Sequence, residues 1–425
     1  MKNWQRKKIK EVVPDLHQGL NTAGYKIKFY DEGYPIIQTR NLENGVIDLD
    51  EKMKFMSKQD WETYKDKYKP KVGDVFLTNI GTIGKTAVVT EEKDYLIHWN
   101  IFIFKLDKNI LDPFYLKSFL DTPFCFDYYK SFQKGGTVNF ITKKMIENLE
   151  IPLPPLPEQQ RIVAILDETF SAIDKAKANA EQNLKNAKEL FESYLQGVFE
   201  NGSENWKNKT LGELCTFTQG IQRGVKLQSE TQANGQVRFL RIVDYTQGNE
   251  PPRYIDHPGD KYILNEEDVA LVRYGASTGF VCHGMEGALA NNLFRVIPKS
   301  FEELSNRFLA VYLKSPIFQD VIKSTMNGAA MPAISFGLIK EIPFPLPNLE
   351  EQQTIVSQLD ALRAETQKLE AVYQKKIADL EELKKSILQK AFKGELRSPE
   401  GVASANDGYS PSEKKTKNKI SPERA

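Results

Sequence analysis

The run Gly81-Thr82-Ile83-Gly84-Lys85-Thr86 holds the residue types that cradle phosphate. Glycines let backbone N–H groups come close to an anion, and a lysine stands directly behind them. A nucleotide-binding P-loop needs a further glycine five residues before Gly84, and that position is Asn79. At the matching place later in the chain, Gly279-Phe280-Val281 has no lysine. The run therefore reads as a glycine-rich turn and not as an ATP site. The four histidines (His17, His98, His257 and His283) show no metal-ligand spacing. His98 beside Trp99 reads as a structural strand residue. Cys125, Cys215 and Cys282 are far apart and form no Cys-x-x-Cys pair, which argues for a reducing cytoplasm without disulfide or zinc. Asp74 and Asp268 each precede an apolar run, where a turn cap is expected. A Gly-x-Gly-x-x-Gly fingerprint and an Asn-Pro-Pro-aromatic run are missing too. The sequence is empty of catalysis.

The elements that would position these residues are written twice. Ile151-Pro-Leu-Pro-Pro-Leu-Pro-Glu-Gln-Gln160 has a twin in Ile342-Pro-Phe-Pro-Leu-Pro-Asn-Leu-Glu-Glu-Gln-Gln353, and Glu158 and Glu351 lie 193 positions apart. Upstream, Gly73-Asp74-Val75-Phe76-Leu77 answers Glu267-Asp268-Val269-Ala270-Leu271, and Asn100-Ile101-Phe102 answers Asn292-Leu293-Phe294. Leu116-Lys117-Ser118 falls near Leu313-Lys314-Ser315, and Trp4…Glu11 matches Trp206…Glu213. Matches in one order along both halves mean two copies of one module. Val75–Thr78, Thr86–Thr90 and Leu96–Phe104 read as strands, and Pro113–Tyr129 as helix.

Each module ends in a long helix. After the prolines, mostly apolar positions recur at spacings of four and three. The first series is Leu166, Phe170, Ile173, Lys177, Ala180, Leu184, Ala187, Phe191, Tyr194, Val198; the second is Ile355, Leu359, Leu362, Thr366, Leu369, Tyr373, Lys376, Leu380, Leu383, Ile387. A narrow stripe of this period is the seam of a coiled coil. Gly202 and Gly394 stand where helix ends take a left-handed residue. The fold class expected is α+β, with two mixed recognition domains separated by two long helices that form an antiparallel coiled coil with an internal pseudo-twofold repeat. The expected divisions are a domain over 1–150, a proline-rich linker over 151–160 and a helix over 161–201. A second domain over 202–341, linker over 342–351 and helix over 352–397 follow, then a disordered tail over 398–425.

Composition sets the outer limits. A chain of 425 residues, 40% hydrophobic and 27% charged, suits two or three ordinary globular domains. No apolar stretch is long enough for a membrane span, and nothing resembles a signal peptide. Lysine and arginine number 58 against 57 acidic residues, so any grip on nucleic acid must come from a clustered face.

The doubled Ile-Pro…Glu-Gln-Gln motif resembles the conserved-region entry of type I restriction–modification specificity subunits. Gly73–Thr78 with Gly81–Lys85 resembles their target-recognition domains, Gly135-Gly136-Thr137 the loop before their linker, and Ala391–Leu396 the end of their second helix. The resemblance covers nearly the whole chain except the tail; Arg273–Gly279 departs from the Gly-Thr-Ile-Gly-Lys pattern. It implies a non-catalytic, cytoplasmic subunit that reads a bipartite site on double-stranded DNA. It also implies two methyltransferase subunits and restriction/translocase subunits as partners, and no membrane. The chain itself would hold no cofactor; S-adenosylmethionine, Mg2+ and ATP would belong to the partners, which carry out adenine methylation and ATP-dependent restriction. The alternatives are the specificity subunit of a methylation-only or related system, and a coiled-coil scaffold that binds no DNA. For DNA contact the turns after the matched strands are the candidates: Thr78, Asn79, Gly81, Thr82 and Lys85, then Arg273, Tyr274 and Ser277, with Lys134, Thr137 and Asn327 behind them. Lys85 and Lys134 would neutralise phosphates, and Arg273 could grip a guanine. Arg223–Lys226 and Arg238–Arg241 come next in line.

Overall fold

A computed structural model describes residues 4–43, 45–49, 52–131, 140–326 and 333–396. Backbone contacts divide the chain into two units: Met1–Ala176 with the residues from Ala378 onward, and Lys177–Ile377. In the first unit, strands Asp15–Gln18, Ile101–Lys105, Val75–Thr78 and Thr86–Val88 form an antiparallel sheet in that order. Successive side chains leave a strand on opposite faces. Val75, Leu77, Phe102 and Phe104 pack on Tyr115, Leu116 and Phe119 of helix Pro113–Leu120. Phe76, Ile101 and Ile103 pack on Ile37 and Ile97 of a second sheet, Lys54–Met56, Tyr34–Ile37 and Leu96–Ile97. Both faces are covered, which is why these strands read as continuous apolar runs.

The second unit repeats the plan. Cys215–Gln219, Leu293–Pro298, Val269–Val272 and Val281–Cys282 form its main sheet. Val269, Leu271, Phe294 and Val296 face Phe308 and Tyr312 of helix Asn306–Lys314, and Ala270, Val272 and Leu293 face Leu240 and Leu289 of the smaller sheet. The helix match needs a correction. The equivalent residues are Thr122 and Ser315, whose hydroxyls donate to the carbonyls of Phe119 and Tyr312. The Leu-Lys-Ser pairing is thus out of register, because local identity outweighed the cap geometry.

The proline-rich stretches are less free than linkers. Glu150–Leu153 pairs with Gln5–Lys8, and Pro343–Leu346 with Lys207–Thr210, each as a two-stranded antiparallel ribbon. Proline is tolerated there because a ribbon leaves one edge of each strand without a ladder partner. The helices also start early, spanning Leu156–Glu200 and Leu349–Phe392. Pro157 sits in the first turn, where no backbone donor is needed. Gly394 ends the second helix at φ +72°, whereas Gly202 is not left-handed; a Cβ there would lie 2.7 Å from the Trp206 ring.

Each helix entry is held by one glutamine. Gln159 Nε2 donates to the carbonyls of Pro154 (2.9 Å) and Ile110 (3.0 Å), and its Oε1 accepts the Asp112 N–H (2.9 Å). Gln352 does the same with Pro347, Glu303 and the Ser305 N–H. Asp112 and Ser305 are the N-caps of the helices under the two main sheets. Within the first unit, Ile162 and Leu166 of the first long helix pack with Leu388, Ala391 and Phe392 of the second. Within the second, Leu195 and Phe199 pack with Ile355, Val356 and Leu359. In both, the segments run antiparallel. The buried stripe is narrower than the expected seam: Leu166, Ile173, Ala180 and Ala187 recur every seven residues, and then Leu195 and Phe199 are buried while Tyr194 is exposed. Leu369 and Leu383, expected on the seam, are exposed as well.

Candidate nucleic-acid interface

The expected turns are built alike in the two units. Asn79 donates its N–H to Asn100 O and accepts from Ile141 N–H, while Arg273 uses Asn292 O and Ile334 N–H in the same way. Gly84 and Gly279 close the turns at φ +88° and +87°, a conformation that favours glycine. The second turn is one residue longer, so Phe280, not a cation, stands where Lys85 does. This is the physical content of the departure visible in the sequence.

Inside the first turn the candidates separate into two groups. Thr78 is buried; its hydroxyl donates to Thr82 O (2.6 Å) and accepts the Lys85 N–H (2.9 Å), so it shapes the turn and presents nothing outward. Asn79 is buried too, and its Oδ1 has no partner among the described residues. Gly81 and Thr82 are exposed at the tip. Lys85 reaches Glu43 Oε2 at 2.6 Å. These residues line a cleft with Gln38, Arg40 and Asn100, a polar wall that the sequence reading did not anticipate. His98 stands behind the cleft, its Nδ1 2.8 Å from Asn100 Oδ1 and its Nε2 3.1 Å from Thr22 Oγ1. Burial holds its pKa below the ordinary value.

The second unit has a cleft at the corresponding place, lined by Arg223, Gln228, Arg241, Asn291 and Asn292. Ile37 O and Leu240 O accept the equivalent N–H groups of His98 and Ala290, which makes Gln38 and Arg241 counterparts. Arg241 is locked onto Asp244 and Pro251 O, whereas among the described residues Arg223 has only a 3.4 Å contact with the carbonyl of Gln222. Arg273 is not the open donor expected of a guanine reader. Its guanidinium donates to Gln219 Oε1 (2.7 Å) and Ile334 O (3.4 Å) and lies 5.0 Å from the centre of the Phe336 ring. Tyr274 bridges to Ala333, and the Ser277 carbonyl accepts the Phe280 N–H; both residues are half-buried. Lys134, Thr137, Asn327, the Gly135–Thr137 loop and the tail over 398–425 lie outside the described residues. Arg273→Ala is therefore expected to lower the melting temperature of the second unit. A scan of DNA sequence preference should show no relaxation confined to one base position; such a confined change would restore the arginine as a base reader.

Asp74 and Asp268 cap turns, accepting the N–H groups of Lys71 and Asn265, and each also meets a cation, Lys105 and Arg295. Among the described residues no cluster of histidine, cysteine or carboxylate could hold a metal ion, and no helix is long and apolar enough to cross a membrane.

The family model for the type I restriction modification DNA specificity domain matches residues 1–185 and again 203–380. The type I restriction enzyme MjaVIII specificity subunit of Methanocaldococcus jannaschii is 26% identical, with 86% of each chain covered. A solved chain from a study of complex assembly and conformational transition of the type I R-M system superposes with a TM-score of 0.76 at 21% identity, over 93% of this chain and 99% of that one. The HsdS subunit from Thermoanaerobacter tengcongensis gives 0.61 at 20% identity, over 93% and 98%. Two matched recognition folds, each ending on a long helix, and two copies of one domain lead to one conclusion: the chain belongs to the type I restriction–modification DNA specificity family.

Proposed function

We propose that this chain is the DNA-specificity subunit of a type I restriction–modification complex and that each unit reads one half of a split, asymmetric site. The observation that carries the reading is the specificity domain present twice. The chain is the recognition component; methylation and ATP-dependent restriction are the work of methyltransferase and restriction subunits, which bring S-adenosylmethionine, Mg2+ and ATP. Residues 1–150 and 202–341 act as the two readers, and the long helices act as an antiparallel coiled coil that carries them. The antiparallel contacts inside each unit support this role. Exposed Leu190, Leu369, Val372 and Leu383 on the same helices offer apolar surface to two methyltransferase subunits.

Exchanging residues 1–150 for the first domain of another specificity subunit, followed by genome-wide mapping of methylated adenines, tests the reading. One half-site should change and the other should persist; a change in both would refute independent readers. For DNA contact we favour Gly81, Thr82, Lys85, Gln38 and Arg40 in the first unit and Arg223 with Asn291 in the second. Lys85→Ala should weaken binding to all sequences alike and lower the slope of log affinity against log salt by roughly one phosphate's worth. A change at a single base position would give Lys85 a reading role instead.

A further inference from the structure

A second charged cavity in the second unit lies away from the recognition turns, between helix Asn306–Lys314 and the long helices. It encloses about 220 Å³ and has an apolar floor that includes Leu195, Val356 and Leu359. Its polar groups are His283, Arg307, Lys314, Arg363 and Asp360. Asp360 is the sole acid among them, and it is taken by Arg307 in an ion pair. Arg363 stacks its guanidinium 5.7 Å from the centre of the Phe191 ring. Neither Arg363 nor Lys314 has an acidic partner among the described residues.

The first unit shows what a balanced version of this place looks like. Cap register makes Lys314 the counterpart of Asp121, Arg307 of Phe114, and Arg363 of Phe170. Asp121 there receives Lys117 at 2.8 Å and the Thr86 hydroxyl at 2.6 Å. At the same position in the fold one copy is neutralised and the other gathers three cations against one acid, Asp360. Cations in excess of their counter-charge repel each other, and a crowded cleft strengthens that repulsion. Accordingly, the Lys314 amine is held below its usual range, by desolvation first and by Arg363 second. His283 is lowered by desolvation, then by Lys314 and Arg307. The missing element is negative charge.

We propose that this cavity binds a free phosphate-class oxyanion, gripped by Lys314 and Arg363 with Arg307 at the rim. Three cations around one small space suit a compact anion of two or more oxygens, and guanidinium groups present paired donors to such an ion. The site stands on these residues whether or not the recognition clefts read DNA as proposed.

Calorimetric titration of the full chain with inorganic phosphate, at ionic strength held constant with chloride, tests the assignment. A saturable site is expected, and Lys314→Met should weaken it by roughly tenfold or more, the loss of one charge-assisted hydrogen bond. Arg363→Gln should weaken it similarly, while Lys117→Met in the first unit should leave it unchanged. Circular dichroism confirms that the variants are folded, and Arg363→Gln stands in if Lys314→Met is not. No saturable binding, or binding that survives in both cavity variants, overturns the proposal. Saturating duplex DNA should leave the phosphate site occupied; displacement would assign it to a DNA backbone phosphate and sink the free-anion reading.

Discussion

Gln159→Leu and Gln352→Leu are each expected to destabilise their own unit by about 3–5 kcal/mol. Each glutamine is fully buried and joins three backbone groups, two carbonyls and the N–H at the cap of a neighbouring helix; the bond to the proline carbonyl is buried and the other two are partly buried. Leucine fills the space but offers no hydrogen bond. A buried polar group left without a partner costs about 1–3 kcal/mol, and here one buried and two partly buried groups lose theirs. The loss should also loosen the join between the long helix and its recognition unit, because the clamp ties the proline strand to the helix under the main sheet. Urea denaturation of the full chain measures it. The exposed neighbours Gln160 and Gln353 provide the control, with changes within about 0.5 kcal/mol expected. Equal effects at Gln159 and Gln160 would show that the clamp contributes nothing.

Gly19→Ala and Gly220→Ala should cost about 3 kcal/mol or more each. A Cβ on Gly19 would lie 2.2 Å from Ile97 O and 2.5 Å from His98 O; on Gly220, 2.1 Å from Ala290 O and 2.5 Å from Leu289 O. All four atoms are backbone, so no rotamer change relieves the overlap, and the two sheets must separate locally. That separation reaches the clefts, since Asn100 and Asn292 lie just beyond the crowded carbonyls. Each variant is expected to weaken recognition of one half-site and spare the other. Gly224→Ala, where a Cβ meets nothing within 4 Å, should be near neutral. Wild-type stability in Gly19→Ala would mean that the sheets are free to part at this point without cost.

The glycine pair was legible in principle. Gln18-Gly19-Leu20 and Gln219-Gly220-Ile221 repeat in step with the other matches, but three residues are too short a signal without the carbonyls that press on them. Arg273 shows a different limit of the sequence. Its partners Gln219, Ile334 and Phe336 are 54 to 63 positions away, so the sequence displayed an arginine in a turn and not the pocket that occupies it. Thr78 followed the same pattern, its hydroxyl bonded inside the turn, whereas Asn79 is buried with its Oδ1 lacking a partner among the described residues.

The sequence by itself determined the duplication, the identity of the buried strands, the two long helices and the family. The first three rest on periodicity or on matched order and the family on the resemblance of the doubled Ile-Pro…Glu-Gln-Gln motif, all of them properties of residue types along the chain. Tertiary structure decided which polar side chains are free. It consumed Thr78, Arg241 and Arg273 internally, left Arg223 nearly unengaged, and brought Gln38 and Arg40 beside Lys85. It also placed Lys314 and Arg363 in one cavity whose single acid, Asp360, is ion-paired with Arg307. A side chain's availability depends on what its neighbours in space can accept or donate, and those neighbours come from strands and helices that only the packed sheets bring together.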